Sequence, residues 1–83
     1  METIYLNGAD YASGREVHEA LKRLLDLPAW YGCNADALHD CLSERLEPIR
    51  LVIASWGEAG AADALRKAAL VVEDLGGEAV RPD

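Results

Sequence analysis

The run Ile49-Arg50-Leu51-Val52-Ile53-Ala54 is the most continuous apolar, β-branched segment of the chain, and it constrains the fold more than any other feature. One charge within six residues, with Pro48 at its head, reads as a strand covered by other elements and therefore central in a sheet. What lies on either side has helical spacing. Val17, Ala20, Leu21, Leu24 and Leu25 recur at i, i+3, i+4, i+7 and i+8, which predicts one apolar helix face ending near Asp26. Ser13 and Glu16 fit a capping box at its start, and Leu27-Pro28 stops it, because the residue before proline is pushed out of the α region. Asn34 is a natural N-cap for a second helix running to about Leu46, with Leu38, Cys41, Leu42 and Leu46 as its buried stripe. After Trp56-Gly57 an alanine-rich third helix spans about Glu58 to Leu75, its seam formed by Ala61, Leu65, Ala68, Val72 and Leu75. Gly76-Gly77 ends it.

Two further strands complete the pattern. Thr3 to Leu6 is a short β-prone run closed by Asn7-Gly8, and Glu78 to Arg81 can supply an edge strand, with Pro82 blocking its extension. Strands separated by helices predict an α/β fold: a small three-stranded parallel sheet packed with about three helices, in a single domain over residues 1–83. A chain of 83 residues holds one modest core and buries only about 60–65% of the surface its unfolded form exposes. No internal repeat, linker or low-complexity tract interrupts it.

Charge and leader signals bound the function. Met1-Glu2-Thr3 is not basic and no apolar h-region follows, and no apolar run approaches the ~20 residues a membrane helix needs. The expectation is a soluble, cytoplasmic protein without a membrane partner. A formal charge of −7 speaks against nucleic acid as a direct partner, since phosphate backbones select Lys and Arg. It favours a basic partner or plain solubility. Cys33 and Cys41 are too few for a disulfide scaffold, and at helical spacing their Cα atoms stand on the order of 12 Å apart, beyond the ~7 Å limit of a disulfide. Both thiols are expected to be free.

The stretch from Leu27 to Leu42 carries the chemistry. Asp36, His39, Asp40 and Ser43 stand at i, i+3, i+4 and i+7, so they share the helix face opposite the leucines. Two carboxylates thus lie one turn apart, beside a loop bearing Trp30 and Tyr31, and such a surface suits a cationic partner. Plainer roles stand beside this one. Asp36 can simply complement the helix dipole. Asp40 sits mid-helix, where aspartate is a poor helix former, four residues from a like charge, yet exposed faces with two acids are common. Trp30 and Tyr31 can fold under the loop as core, and His39 reads as a solvated helix residue, as does His18 on the polar side of the first helix.

The pattern Leu-Pro-x-aromatic-Tyr-Gly-x-Asn-x-Asp-Ala-Leu-x-Asp-Cys-Leu over residues 27–42 resembles the signature of the barstar family, the intracellular inhibitors of barnase-like ribonucleases. The flanking order of elements is similar as well, so the resemblance implies a barstar-like fold across the chain. It implies that the loop and second helix cover the active site of a basic, extracellular-type ribonuclease in a 1:1 complex. Asp40 would take the place of a substrate phosphate, and Asp36 would meet the enzyme's guanidine-binding region and basic rim. Trp30 stands where the family usually has tyrosine, packing over the catalytic histidine. Gly32, Asn34 and Ala35 fall at contact positions, and Tyr31 supports the loop.

The chain also departs from the family. His39 replaces the tryptophan of the best-known member, which removes an aromatic contact and adds a titratable group. The segment between Trp56 and the last helix is short, and a small additional helix of the family is missing there. The acidic contact on the last helix falls at Glu73 or Asp74, with Glu73 taken as the candidate. These changes imply a different ribonuclease partner and the same inhibitory mode. The reading is a non-enzymatic inhibitor that needs no metal or cofactor. The alternatives are an immunity protein for another nuclease toxin, and a small metal-dependent hydrolase using Asp36, His39 and Asp40. Hard-metal sites usually draw ligands from several elements, which disfavours the latter.

Overall fold

Alternation along the first and second strands decides which side of the sheet is buried. Residues 1–82 are described by the computed structural model. In them β1 (Glu2–Leu6), α1 (Gly14–Leu24), α2 (Ala35–Ser43), β2 (Ile49–Ile53), α3 (Ala59–Asp74) and β3 (Glu78–Val80) follow in order. The strands form one parallel sheet ordered β1-β2-β3, with Ile4 opposite Leu51 and Leu51 opposite Ala79. The expected fold class is therefore the observed one, and Ile49–Ile53 is indeed the central strand. Ile4, Leu6, Ile49, Leu51 and Ile53 point into the core, while Tyr5 and Val80 lie exposed on the opposite face beside the Arg50–Glu78 ion pair. All three helices serve the core face. α3 packs against α1, α2, β2 and β3, so the two crossovers share it as their common support.

The alanines make that arrangement possible. Ala61, Ala64, Ala68 and Ala69 of α3 are buried in one core cluster with Val17, Ala20 and Leu21 of α1, together with Leu65 and Val72, and the two helices pack on each other. Leu6, Leu21, Leu38, Leu51 and Leu65 are each under 2% exposed. Burying a side chain of this kind contributes about 1.5–3 kcal/mol. At the carboxyl ends of β1 and β2 two backbones interlock. A Cβ on Gly8 would lie 2.3 Å from the Trp56 carbonyl, and Gly57, at φ +71°, rests against the Gly8 carbonyl. Only glycine fits either position without backbone movement.

The helix starts follow the sequence closely. Ser13 Oγ accepts from the Glu16 N–H at 3.3 Å, and Glu16 Oε1 reaches back to the Ala12 N–H at 3.1 Å, one residue earlier than in a standard capping box. Asn34 Oδ1 accepts from the Ala37 N–H at 2.8 Å.

Two features of the expected helices are corrected. α2 stops at Ser43 rather than Leu46, and Leu46 is fully exposed instead of completing the stripe. The reason is Arg45: its guanidinium donates to the Leu25 carbonyl at 3.2 Å and pairs with Glu2 on β1, which pulls the chain off the helix axis. Pro48 disfavours the α region for Glu47, so the helix does not resume before β2. On α1, Leu24 is 40% exposed and His18 is buried at 6%, the reverse of their expected places. The loop after α1 folds back over His18, and it is this contact that draws the ring inward.

Candidate functional site

The loop between α1 and α2 is shaped by local bonds and by two costly backbone angles. The Tyr31 N–H donates to the Pro28 carbonyl at 3.0 Å, and Asn34 Nδ2 donates to the Gly32 carbonyl at 3.2 Å. Asp26 and Cys33 take left-handed φ values of 52° and 54°. For an L-residue that region costs roughly 1–2 kcal/mol, so the surroundings must hold both residues there. Trp30 emerges from this loop 65% exposed, while its neighbour Tyr31 is only 5% exposed. The Tyr31 hydroxyl meets His18 Nδ1 at 2.5 Å beneath the loop. Burial holds the His18 imidazole below its ordinary value and pushes the Tyr31 phenol up, so both are neutral near pH 7.

α2 then carries the acids outward. Asp36 and Asp40 are exposed, and neither forms an ion pair among the described residues. Ser43 Oγ donates to the Asp40 backbone carbonyl at 2.8 Å, and among the described residues no protein donor reaches the Asp40 carboxylate. From Leu24 to Glu44 the chain has Asp26, Asp36, Asp40 and Glu44 and no Lys or Arg, so this segment supplies no cation of its own. Beneath it, Cys41 is buried and its thiol is pushed up, first by burial and then by the charges of Glu44 and Asp40. Cys33 and Cys41 are both free thiols.

The third-helix acids divide between two partners. Glu73 is held by Arg81 through paired contacts of 2.7 and 2.8 Å, and this hydrogen bond lowers its carboxyl below the usual range. Asp74 instead meets His39 Nε2 at 3.1 Å, which links the end of α3 to the exposed face of α2. His39 is therefore half-buried and partnered, not freely solvated.

Of the sequence candidates, Trp30, Gly32, Asn34, Asp36 and Asp40 are exposed on one continuous loop-and-helix surface, with Ala35 and His39 partly exposed within it. Tyr31 lies below that surface, and Glu73 is turned to Arg81, just past β3. Residue spacing does not reveal the burial of His18 against Tyr31 or the contact of Asp74, the second of the two third-helix candidates, with His39. Among the described residues no group of three His, Cys, Asp or Glu side chains converges to hold a metal ion. No helix in them is long and apolar enough to cross a membrane.

A sequence model of the family described as "Barstar (barnase inhibitor)" matches residues 1–81. The chain belongs to the barstar family. It is also similar to a Bacillus subtilis (strain 168) protein named "Putative ribonuclease inhibitor YrdF", with 39% identity over 57 residues. That match covers 68% of this chain and 63% of the relative, so the chain spans just under two thirds of the relative's length.

Proposed function

We propose that this barstar-family protein inhibits a ribonuclease by binding over its active site with α2 and the Trp30 loop, and that it performs no catalysis itself. One observation carries the reading: the outward carboxylates of Asp36 and Asp40, unpaired in the free domain, one turn apart on a helix without cations, beside an exposed tryptophan. A ribonuclease active site is built to receive phosphate among Arg, Lys and His groups. A rigidly held carboxylate offers the same charge and acceptor geometry without a bond to cleave. Asp40 takes the phosphate position, Asp36 meets the basic rim, and Trp30 lays a flat ring over the catalytic histidine or a guanidinium. Gly32, Asn34 and Ala35 form the close-approaching floor between them. Membership of the family and the name of the Bacillus subtilis relative support this choice over other basic partners.

The proposed partner is a basic, barnase-like ribonuclease, bound 1:1 in the cytoplasm. On the third helix, Asp74 is the better placed of the two acids to join the interface, because His39 ties it to α2 while Arg81 occupies Glu73. The test is capture of the partner from the native host, followed by RNA-cleavage assays with and without this protein and by light scattering of the complex. Inhibition at one equivalent supports the proposal. Capture of a basic nuclease of another chemistry would favour an immunity role, and a captured ribonuclease that stays active in the complex would overturn the occlusion mechanism.

A further inference from the structure

Tyr31 stands between the exposed Trp30 and the bare backbone of Gly32, and of these three it alone is taken into the core. Its hydroxyl lies 2.5 Å from His18 Nδ1, with ring centroids 5.9 Å apart and the planes tilted by 50°. His18 is the one buried polar or charged residue among the described residues, and it sits in the middle of the capped helix α1. Among those residues, every other hydrogen bond of residues 28–33 is local, joining Tyr31 to Pro28 and Gly32 to Asn34. The His18–Tyr31 bond alone connects this stretch to another helix. The same loop must keep Cys33 in the left-handed region, which a non-glycine residue holds only when its surroundings over-determine it.

We infer that His18 is a positioning residue for the proposed interface: through Tyr31 it fixes the loop that presents Trp30 and leads into the Asn34 cap of α2, and so prolongs the life of the complex. The inference rests on the binding function proposed above. Neither side chain belongs to the acid face, so long-range attraction to a basic partner is independent of the bond. A loop already held in its bound shape loses less freedom on docking, and differences between related complexes of this kind show mainly in dissociation.

Tyr31→Phe removes one oxygen and keeps the ring. His18→Leu removes the ring nitrogen and keeps the bulk, and His18→Asn returns a group able to donate or accept near the Nδ1 position. Association and dissociation with the captured ribonuclease are measured by surface plasmon resonance. Amide exchange of residues 29–34 and of α3 is followed in the free proteins. Tyr31→Phe and His18→Leu are expected to raise the dissociation rate about twofold to tenfold, the range set by one hydrogen bond, with association changed less than about twofold. Loop amides should exchange faster by a similar factor relative to those of α3, and His18→Asn should recover part of both effects. A folded Tyr31→Phe protein that dissociates like wild type, or whose loop gains no exchange over α3, overturns the inference. Asp40→Ala runs alongside: if it binds like wild type, the active-site reading fails, while exchange in the free proteins still judges the loop.

Discussion

Replacing Asp40 with alanine removes a carboxylate that makes no ion pair in the described residues and accepts no protein hydrogen bond there, since Ser43 bonds only its backbone carbonyl. The free domain should become more stable. Alanine exceeds aspartate as a helix former by about 0.5–0.7 kcal/mol. Asp36 and Glu44 stand four residues to either side, and each like-charge pair opposes the helix by about 0.2–0.5 kcal/mol. Solvent exposure trims the electrostatic part, and the net gain is about 1 kcal/mol, or about 4–8 °C in Tm for a domain of this size. The charge of the chain also falls from −7 by one, in the same direction.

Binding should move the other way. In the complex this carboxylate is the proposed phosphate substitute, surrounded by cations and withdrawn from water. Its truncation should weaken the complex by at least about 2 kcal/mol, roughly thirtyfold, and by more than alanine at Trp30, Asp36 or His39. Urea and thermal melts of the free proteins, paired with calorimetry against the ribonuclease, measure both. A stability loss above about 1 kcal/mol would place Asp40 in the fold. A binding loss below about 1 kcal/mol would remove it from the phosphate position. A group kept for a partner is expected to cost the free protein something, and Asp40 should show both signs at once.

The buried His18 predicts acid sensitivity of the free domain. Its imidazole is lowered by burial, so the unfolded chain takes up the proton first; the stability that depends on neutral His18 is complete above about pH 6.5, declines below it, and is lost as pH passes through the lowered folded value. Urea midpoints from pH 7.5 to 5 should show this fall, and His18→Leu should flatten it; equal slopes would assign the effect to other groups. On α3, Asp74→Asn should weaken ribonuclease binding several-fold while Glu73→Gln changes it less than about twofold, because Arg81 already occupies Glu73. Calorimetry of the two variants decides between them, and a larger effect at Glu73 would reverse the assignment. Association with the basic enzyme should be fast and should slow steeply as salt rises past 0.1 M, where screening sets in over about 10 Å; a flat stopped-flow dependence would mean that the charge of −7 serves solubility alone.

The difference between what could be read in the chain and what could not follows the range of each interaction. The strands, the caps at Ser13 and Asn34, and the acid pair on α2 depend on neighbours within one or two turns, and all are present as the residue spacing implies. Leu46 and His18 depend on distant contacts. Helical spacing extended the α2 stripe to Leu46 because no local residue forbids it; what ends the helix is Arg45 reaching Leu25 and Glu2, far away in the chain. His18 lies one residue, about 100°, from the Val17 and Leu21 stripe, a boundary position that periodicity assigns outward. A signal for its true place existed all the same. A tyrosine taken into the core needs a partner for its hydroxyl, and the family resemblance implies that Tyr31 supports the loop. Pro28 turns the chain back at the end of α1, which limits the partner to that helix, where His18 is a polar residue beside the buried stripe. The choice of Asp74 over Glu73 could not be made in this way: the bond to His39 exists only because α2 and α3 pack side by side, and no spacing within either helix records that contact.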